Sequence, residues 1–394
     1  MPQKLPPLRL TGATILREGR MQDRSVVIED GRITKGPRPA VDLSGFWILP
    51  GIIDLHGDAF ERHIAPRPSA PFPIASGLAS VDRDAAANGV TTAWLAQSWS
   101  WEGGKRSPDY AEELLQDLDI YRKRALTDLR VQLRVETHMV DSGDRLLAAV
   151  RRHGIDYVVF NNHLDEAVNA WDVKPNVIAT WAAQHRVSPE ELMAKVTHAK
   201  ERGGEVPRFL CRLAEAFDGL GVTYGSHDDE TAETREWFST IGAKICEFPT
   251  ARAPAAVARA IGDPVLMGAP NVVRGGSQSG NIAAVDLIRD GLCHALVSDY
   301  HYPSLAQAAF RLVDDGVLDL PRAWAMISTK PAEIKRLPDR GRIEYGRRAD
   351  LVVVNKDTRA IEATIAGGKL THLCGLAARR FMDAINGGMQ LAAE

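Results

Sequence analysis

The chain has 394 residues, 45% of them hydrophobic and 25% charged, enough for two to three domains or one large barrel with an accessory module. Its formal net charge of −3 argues against a basic surface for nucleic acid, and no apolar run nears the roughly 18 residues of a membrane helix. The four cysteines form no CxxC pair and the opening Met1-Pro-Gln-Lys-Leu-Pro-Pro has no apolar core, so a disulfide scaffold, a thiolate zinc knuckle and a secretory signal are disfavoured and a cytoplasmic protein is expected.

Both ends read as short β-rich pieces. Arg24 to Thr34 holds two strands around the turn pair Asp30-Gly31. Gly341 to Val354 holds two more, and Ala360 to Leu370 reads as a hairpin at Gly367-Gly368. Neither end has enough apolar residues to fold alone. One composite β-sandwich from 1–48 plus 340–380 is expected, with a C-terminal tail at 381–394. Between the ends, strand-like runs fall at Gly51–Leu55, Val90–Ala96, Val131–Val135, Ile155–Phe160, Val222–Tyr224, Ala243–Glu247, Val265–Met267 and His294–Val297. Helix-like stretches separate most of them: Asp109–Leu126, Asp144–His153, Thr231–Ile241, Ala253–Ile261 and Asn281–Asp290. This alternation predicts an α/β protein with a (β/α)8 TIM-type barrel over 49–339. A doubly wound sheet would need a glycine fingerprint after the first strand, and there is none. The stretch from 161 to 221 is too long for one connection and should carry inserted helices beside the barrel mouth.

In such barrels the reactive groups follow the C-terminal ends of strands. Those positions hold His56-Gly-Asp58, Glu136-Thr-His138, Asn161-Asn-His163, His227-Asp-Asp229 and Asp299. Imidazole nitrogens and carboxylate oxygens without thiolates suit Zn²⁺, Mn²⁺ or Fe²⁺. Side chains two apart on a strand point the same way, so His56 and Asp58 can face one ion while Gly57 leaves room. Structural readings compete. Asp228 and Asp229 can open a helix at Thr231, and Asp299 can cap a following helix. Glu136 can pair with an arginine. Trp94, Trp99 and Trp101 read as core and loop packing rather than a stacking platform.

After the seventh strand comes Arg274-Gly-Gly-Ser277-Gln278-Ser279-Gly-Asn281, leading into a helix expected at Asn281. Glycines let backbone N–H groups converge on an anion, and a helix start adds favourable partial charge. The fork of Arg274 suits phosphate oxygens. Arg62, His63 and Arg67 follow the first strand and can overhang the mouth. Arg62, Arg67, Asn271, Arg274, Ser277 and Asn281 are the expected contacts to a small phosphorylated substrate.

Pro50-Gly-Ile-Ile-Asp-Leu-His56, together with Arg348-Ala-Asp350-Leu-Val-Val, resembles the amidohydrolase superfamily. Leu55 to Pro68, Ser226-His-Asp-Asp229, Glu247-Phe-Pro-Thr250, Met267 to Ser277 and Ser298-Asp-Tyr300 resemble, within it, a subgroup of diphosphatases of phosphonate catabolism. The likeness runs from about 45 to 355. Two places depart from that subgroup: Gln278 stands where histidine is usual, and Asn161-Asn-His163 replaces a Met-Asp-His strand end.

The resemblance implies a metal-bearing barrel in which His56 and Asp58 hold one metal. Glu136 would bridge, His163 and His227 would be ligands from later strands, and Asp299 would touch the metal or its water and act as general base. One or two divalent ions are implied, zinc first, with manganese or iron as alternatives. The implied reaction cleaves the triphosphate phosphoanhydride of α-D-ribose 1-methylphosphonate 5-triphosphate, or a close analogue, and releases diphosphate. Hydrolysis of a C–N bond is the alternative activity, and a metal-free scaffold is the non-enzymatic one. No nucleic-acid or membrane partner is expected, and a homo-oligomer stays open.

Overall fold

The computed structural model describes residues 4–67, 70–164, 167–168, 178–179, 182–183 and 187–386. Eight parallel strands form one sheet in chain order: Ile52–Gly57, Val90–Trp99, Asp128–Glu136, Tyr157–Asn161, Thr223–His227, Ile245–Glu247, Val265–Gly268 and Ala295–Val297. The two outer strands meet at their C-terminal ends. Gly57 bridges to Asp299 in parallel, the Asp299 N–H donates to the His56 carbonyl (3.0 Å), and the Asp58 N–H donates to the Asp299 carbonyl (2.8 Å). The eight-stranded barrel read from the sequence is therefore present, each strand at its expected place within a few residues.

Alternation explains the interior. Ile53, Leu55, Trp94, Tyr157, Val159, Ile245, Leu266, Ala295 and Val297 form one buried cluster, while a larger apolar layer joins the strands to the surrounding helices. Trp94 and Trp99 are buried, their indole N–H groups bonded to Asp156 (2.7 Å) and Ser142 (2.9 Å), and Trp101 packs with Leu164, Leu192 and Val196. The tryptophans thus pack in the core and loops, as read from the sequence.

Helices follow the strands. Pro108–Tyr121, Gly143–His153, Ala232–Thr240 and Arg252–Ile261 lie near their expected spans. Ser107 caps the first of these through its side chain, and Gly154, at φ 60°, ends the second in the left-handed conformation. The segment after the fourth strand carries helices Pro189–Glu201 and Val206–Leu220, and part of it lies outside the described residues. One expectation is corrected. The helix placed at Asn281 spans only Ala284–Arg289, because Gly280 takes a left-handed φ of 76° just before it.

The chain ends build two further sheets. The six-stranded one runs Lys369–Leu373, Ile361–Ala366, Leu351–Asn355, Phe46–Pro50, Thr14–Arg17 and Arg20–Asp23, so it takes strands from both ends. The four-stranded one runs Arg32–Thr34, Val26–Glu29, Leu8–Thr11 and Ala40–Asp42. Asp30 and Gly31 both have positive φ, as a tight two-residue hairpin demands. Leu10, Ile15, Ile48, Leu351 and Val353 share one core with Phe381 of the helix Gly375–Asn386. That helix takes up the start of the stretch read as a tail, and 387–394 lie outside the described residues. Among the described residues no helix is long and apolar enough to cross a membrane.

Candidate active site

The first strand aims its histidine by an irregularity rather than by simple alternation. Asp54 pairs with Ala93 and Gly57 with Leu95, so the first strand fits one extra residue between these pairings. Such bulges redirect side chains at barrel rims. Leu55 joins the interior cluster, yet its neighbour His56 also turns inward and reaches Glu247 on the sixth strand. The two-residue spacing argument for His56 and Asp58 therefore does not hold as stated. Asp58 lies beyond the strand end, tied to Asp299 by its main chain. Gly57 does leave room: a Cβ there would lie 2.7 Å from Ser298 Oγ and 2.8 Å from Asp54 Oδ2.

Both rim histidines are held at Nδ1 by carboxylates. His56 Nδ1 lies 2.9 Å from Glu247 Oε2, and His227 Nδ1 lies 2.8 Å from Asp228 Oδ2. Glu247 also accepts from Gln132 Nε2 (2.7 Å) and from the Tyr157 hydroxyl. The rings of His56 and His227 stand 5.3 Å apart, with Phe248 packed on both. His227 Nε2 is buried with no hydrogen-bond partner. Carboxylate-anchored imidazoles with a free Nε2 are the usual ligands of divalent metals, so these residues fit such an ion. Burial disfavours the His56 imidazolium, yet the Glu247 carboxylate outweighs it and raises the pKa. Burial lowers that of His227 despite Asp228.

Asp228 and Phe248 immediately follow the rim ends of strands five and six, Asp299 lies two residues past the end of strand eight, and all three have positive φ, 59°, 50° and 55°. Non-glycine residues rarely adopt this region, and such strain clusters at functional sites. Burial, then repulsion from Asp58, raises the Asp299 carboxyl to about 6. Asp299 is not a helix cap; the helix after it begins at Ser304 behind Pro303. The reading of Asp228 and Asp229 as helix openers is likewise corrected. Thr231 caps that helix, Asp228 serves His227, and buried Asp229 binds Arg235 and Ser226.

A cavity of about 180 Å³ opens here, lined by His56, His227, Asp299, Asn271, Arg274, Ser277 and Asn281 of the predicted residues, and by Arg134, Asp228 and Tyr300 besides. Glu136 and His163 meet in a second group with Glu102, as atoms able to ligate within 4.8 Å of one another. Glu136 holds the His163 ring at 2.7 Å and its N–H at 3.0 Å. Of the predicted ligands, His56 and His227 thus fall in one group and Glu136 and His163 in the other, while Asp58 and Asp299 fall in neither. Asn271 bonds the Ile282 carbonyl and the Ala284 N–H, so it staples the loop after the seventh strand. Arg274 ends a short helix, Ala269–Arg274, and its Nη1 lies 3.2 Å from Gln278. Arg62 donates to the Tyr300 carbonyl at the rim, but it and Arg67 are both exposed and neither lines the cavity.

Sequence reading missed Glu247, Glu102 and Arg134. Glu247 and Arg134 were reachable: Glu247 ends the sixth strand, and Arg134 lies two residues from Glu136 on the third, hence on the same face.

The barrel, the two-ended β-sheets and the anchored histidines define a member of the amidohydrolase superfamily. Dihydropyrimidinase from Brevibacillus agri superposes with a TM-score of 0.61 at 12% identity, over 94% of this chain and 97% of that one. N-Acetylglucosamine-6-phosphate deacetylase from Pasteurella multocida gives 0.61 at 11% identity, over 92% and 99%. A zinc-bound adenosine deaminase from Xanthomonas campestris gives 0.54 at 13%, over 98% of each. These show the shared fold. No family model matches the chain. The α-D-ribose 1-methylphosphonate 5-triphosphate diphosphatase of Escherichia coli K12 is 33% identical over 329 residues, 80% of this chain and 85% of its own length. The chain belongs to that diphosphatase family.

Proposed function

We propose that this protein is a cytoplasmic, metal-dependent hydrolase that cleaves the phosphoanhydride of α-D-ribose 1-methylphosphonate 5-triphosphate, or a close analogue, and releases diphosphate. The observation that carries the reading is the presence of Arg274 in the same cavity as His56, His227 and Asp299. A guanidinium at the mouth suits phosphate oxygens and has little use with a neutral amide.

His56 and His227 would hold a divalent cation, with Asp299 beside them; when bound, it would polarise a phosphoryl oxygen and acidify water. The remaining work falls to the chain. Glu247 and Asp228 keep both imidazoles in one orientation. Asp299, main-chain-tied to the first strand, takes the proton of the attacking water at its carboxylate. Arg274 holds the leaving diphosphate, and the stapled loop from Asn271 to Ala284 keeps Ser277 and Asn281 facing it.

The test pairs two assays on metal-loaded protein. Diphosphate release from ribose triphosphate compounds is expected, and ammonia or acetate release from amides is not. If only the amides turn over, the C–N alternative replaces this reading.

A further inference from the structure

We propose that Arg134 is a substrate ligand, a fixed cation in the cavity that binds an oxygen of the phosphoryl group under attack. The identity of the phosphoryl compound rests on the proposed function above; the anion site itself does not.

The third strand places this side chain. Gln132 reaches Glu247 and Glu136 reaches His163, so Arg134, alternating with neither, projects to the same interior. It lines the cavity beside His56, His227 and Asp299. Its charge acts on His56, His227 and Asp299 and also on His163, so it lies within electrostatic range of both groups. Its Nε is nonetheless buried with no hydrogen-bond partner. No ion pair to a described carboxylate accompanies it, although Arg235, Arg340 and Arg106, also inside the fold, are each paired.

A guanidinium whose Nε is buried without a partner is costly, and native structures normally pair such a group. Arginine stays charged at any working pH, so the cost is not relieved by losing a proton. An arriving anion relieves it. Phosphate oxygens match the planar fork in charge and geometry. With half-buried Arg134 inside and exposed Arg274 at the mouth, the cavity carries two cations at different depths. A triphosphate chain laid between them puts its reacting phosphoryl group by Arg134 and Asp299 and its terminal diphosphate by Arg274. Preorganised charge at the reacting group is worth most where charge develops during bond cleavage.

The experiment uses the full chain and inorganic tripolyphosphate, titrated calorimetrically with and without a metal chelator. In Arg134→Ala the affinity is expected to fall at least about 10-fold in both conditions, with a melting temperature no lower than the unsubstituted protein's and unchanged metal content. Arg134→Lys, which keeps charge but loses the fork, should fall between the two and serves if the alanine variant folds poorly. Turnover in Arg134→Ala should drop by about 10²–10³ and recover partly in added guanidinium ion but not in tetramethylammonium. Unchanged tripolyphosphate affinity overturns the proposal. So does an affinity loss that follows metal loss and is reversed by adding metal, since that makes Arg134 a support for the ligands. Arg134-dependent tripolyphosphate binding without diphosphate release from ribose triphosphates would instead overturn the substrate and leave the anion site standing.

Discussion

Glu247 and His56 lie 191 residues apart in the chain and meet in a buried hydrogen bond of 2.9 Å. The bond fixes His56 by Nδ1 and leaves Nε2 for a cation. Losing such an anchor typically weakens metal binding 10–100-fold. Glu247→Gln should therefore lower zinc or manganese affinity by about that factor, read by competition with a coloured chelator. Glu247→Ala should also cost about 1–3 kcal/mol in denaturant unfolding, because Tyr157 and Gln132 lose their shared acceptor. A variant with unchanged metal affinity would remove Glu247 from the site.

Asp299 carries the proton transfer. Asp299→Asn should fold normally and lose more than about 10²-fold in kcat. A base works in its deprotonated form, so kcat/KM should fall as pH drops through the Asp299 pKa. Burial and Asp58 set that value at about 6 without a cation, and a bound cation draws it lower. The acid limb of the pH profile should accordingly lie at or below pH 6 and vanish in the variant. A limb that persists unchanged assigns the base elsewhere.

How much of this was legible in the sequence follows from the physics of each piece. The eight strands were readable because apolar runs of three to seven residues, most of them separated by amphipathic helices, admit few other folds. Asp299 and His227 were readable because strand ends point at the mouth. His56 was found for a partly mistaken reason: the strand is bulged, and a bulge depends on pairing with a neighbour far along the chain. Glu102 becomes a site residue only through Glu136 and His163, 34 and 61 positions away, whereas Glu247 ends a strand and was within reach of the same strand-end argument. The expected helix start at Asn281 failed because Gly280 turns the chain first.

Stability should show a buried lysine. Lys335 donates to the Asp156 carbonyl at 2.7 Å and stands over the Tyr157 and Trp94 rings. Burial, only partly offset by Asp156, lowers its pKa to about 8. Between about 8 and 10.5 the unfolded chain binds the extra proton, so folding stability contributed by this site rises with pH through that window. Relative to Lys335→Met, the native protein should gain on the order of 1–3 kcal/mol between pH 7.5 and pH 10.5 in denaturant midpoints. A constant difference across that range would show that Lys335 titrates normally.

Arg274 faces solvent at the cavity mouth beside Gln278 and Tyr300. It would hold a charged group present in both substrate and transition state, and losing such a contact raises KM with little change in kcat. Arg274→Ala should raise KM for a ribose triphosphate by about 10-fold. An unchanged KM would strike the loop after the seventh strand from the binding surface.

Gly57 joins the site to the closing seam of the barrel. Its missing side chain leaves space for Ser298 Oγ, which bonds Asp54 at 2.6 Å, and for Asp54 itself. Ser298 precedes Asp299, whose main chain is bonded to His56 and Asp58 on either side of Gly57. A methyl group at Gly57 would press both Ser298 and Asp54 at under 3 Å, so the seam must shift to admit it. Overpacking of this kind costs about 1–3 kcal/mol, and the shift reaches Asp299 directly. Gly57→Ala should therefore lower both the denaturant midpoint and kcat, while Gly276→Ala, where a Cβ meets nothing within 4 Å, should change neither fold nor stability. Equal stability of the two variants would mean that the seam yields freely and does not position the general base.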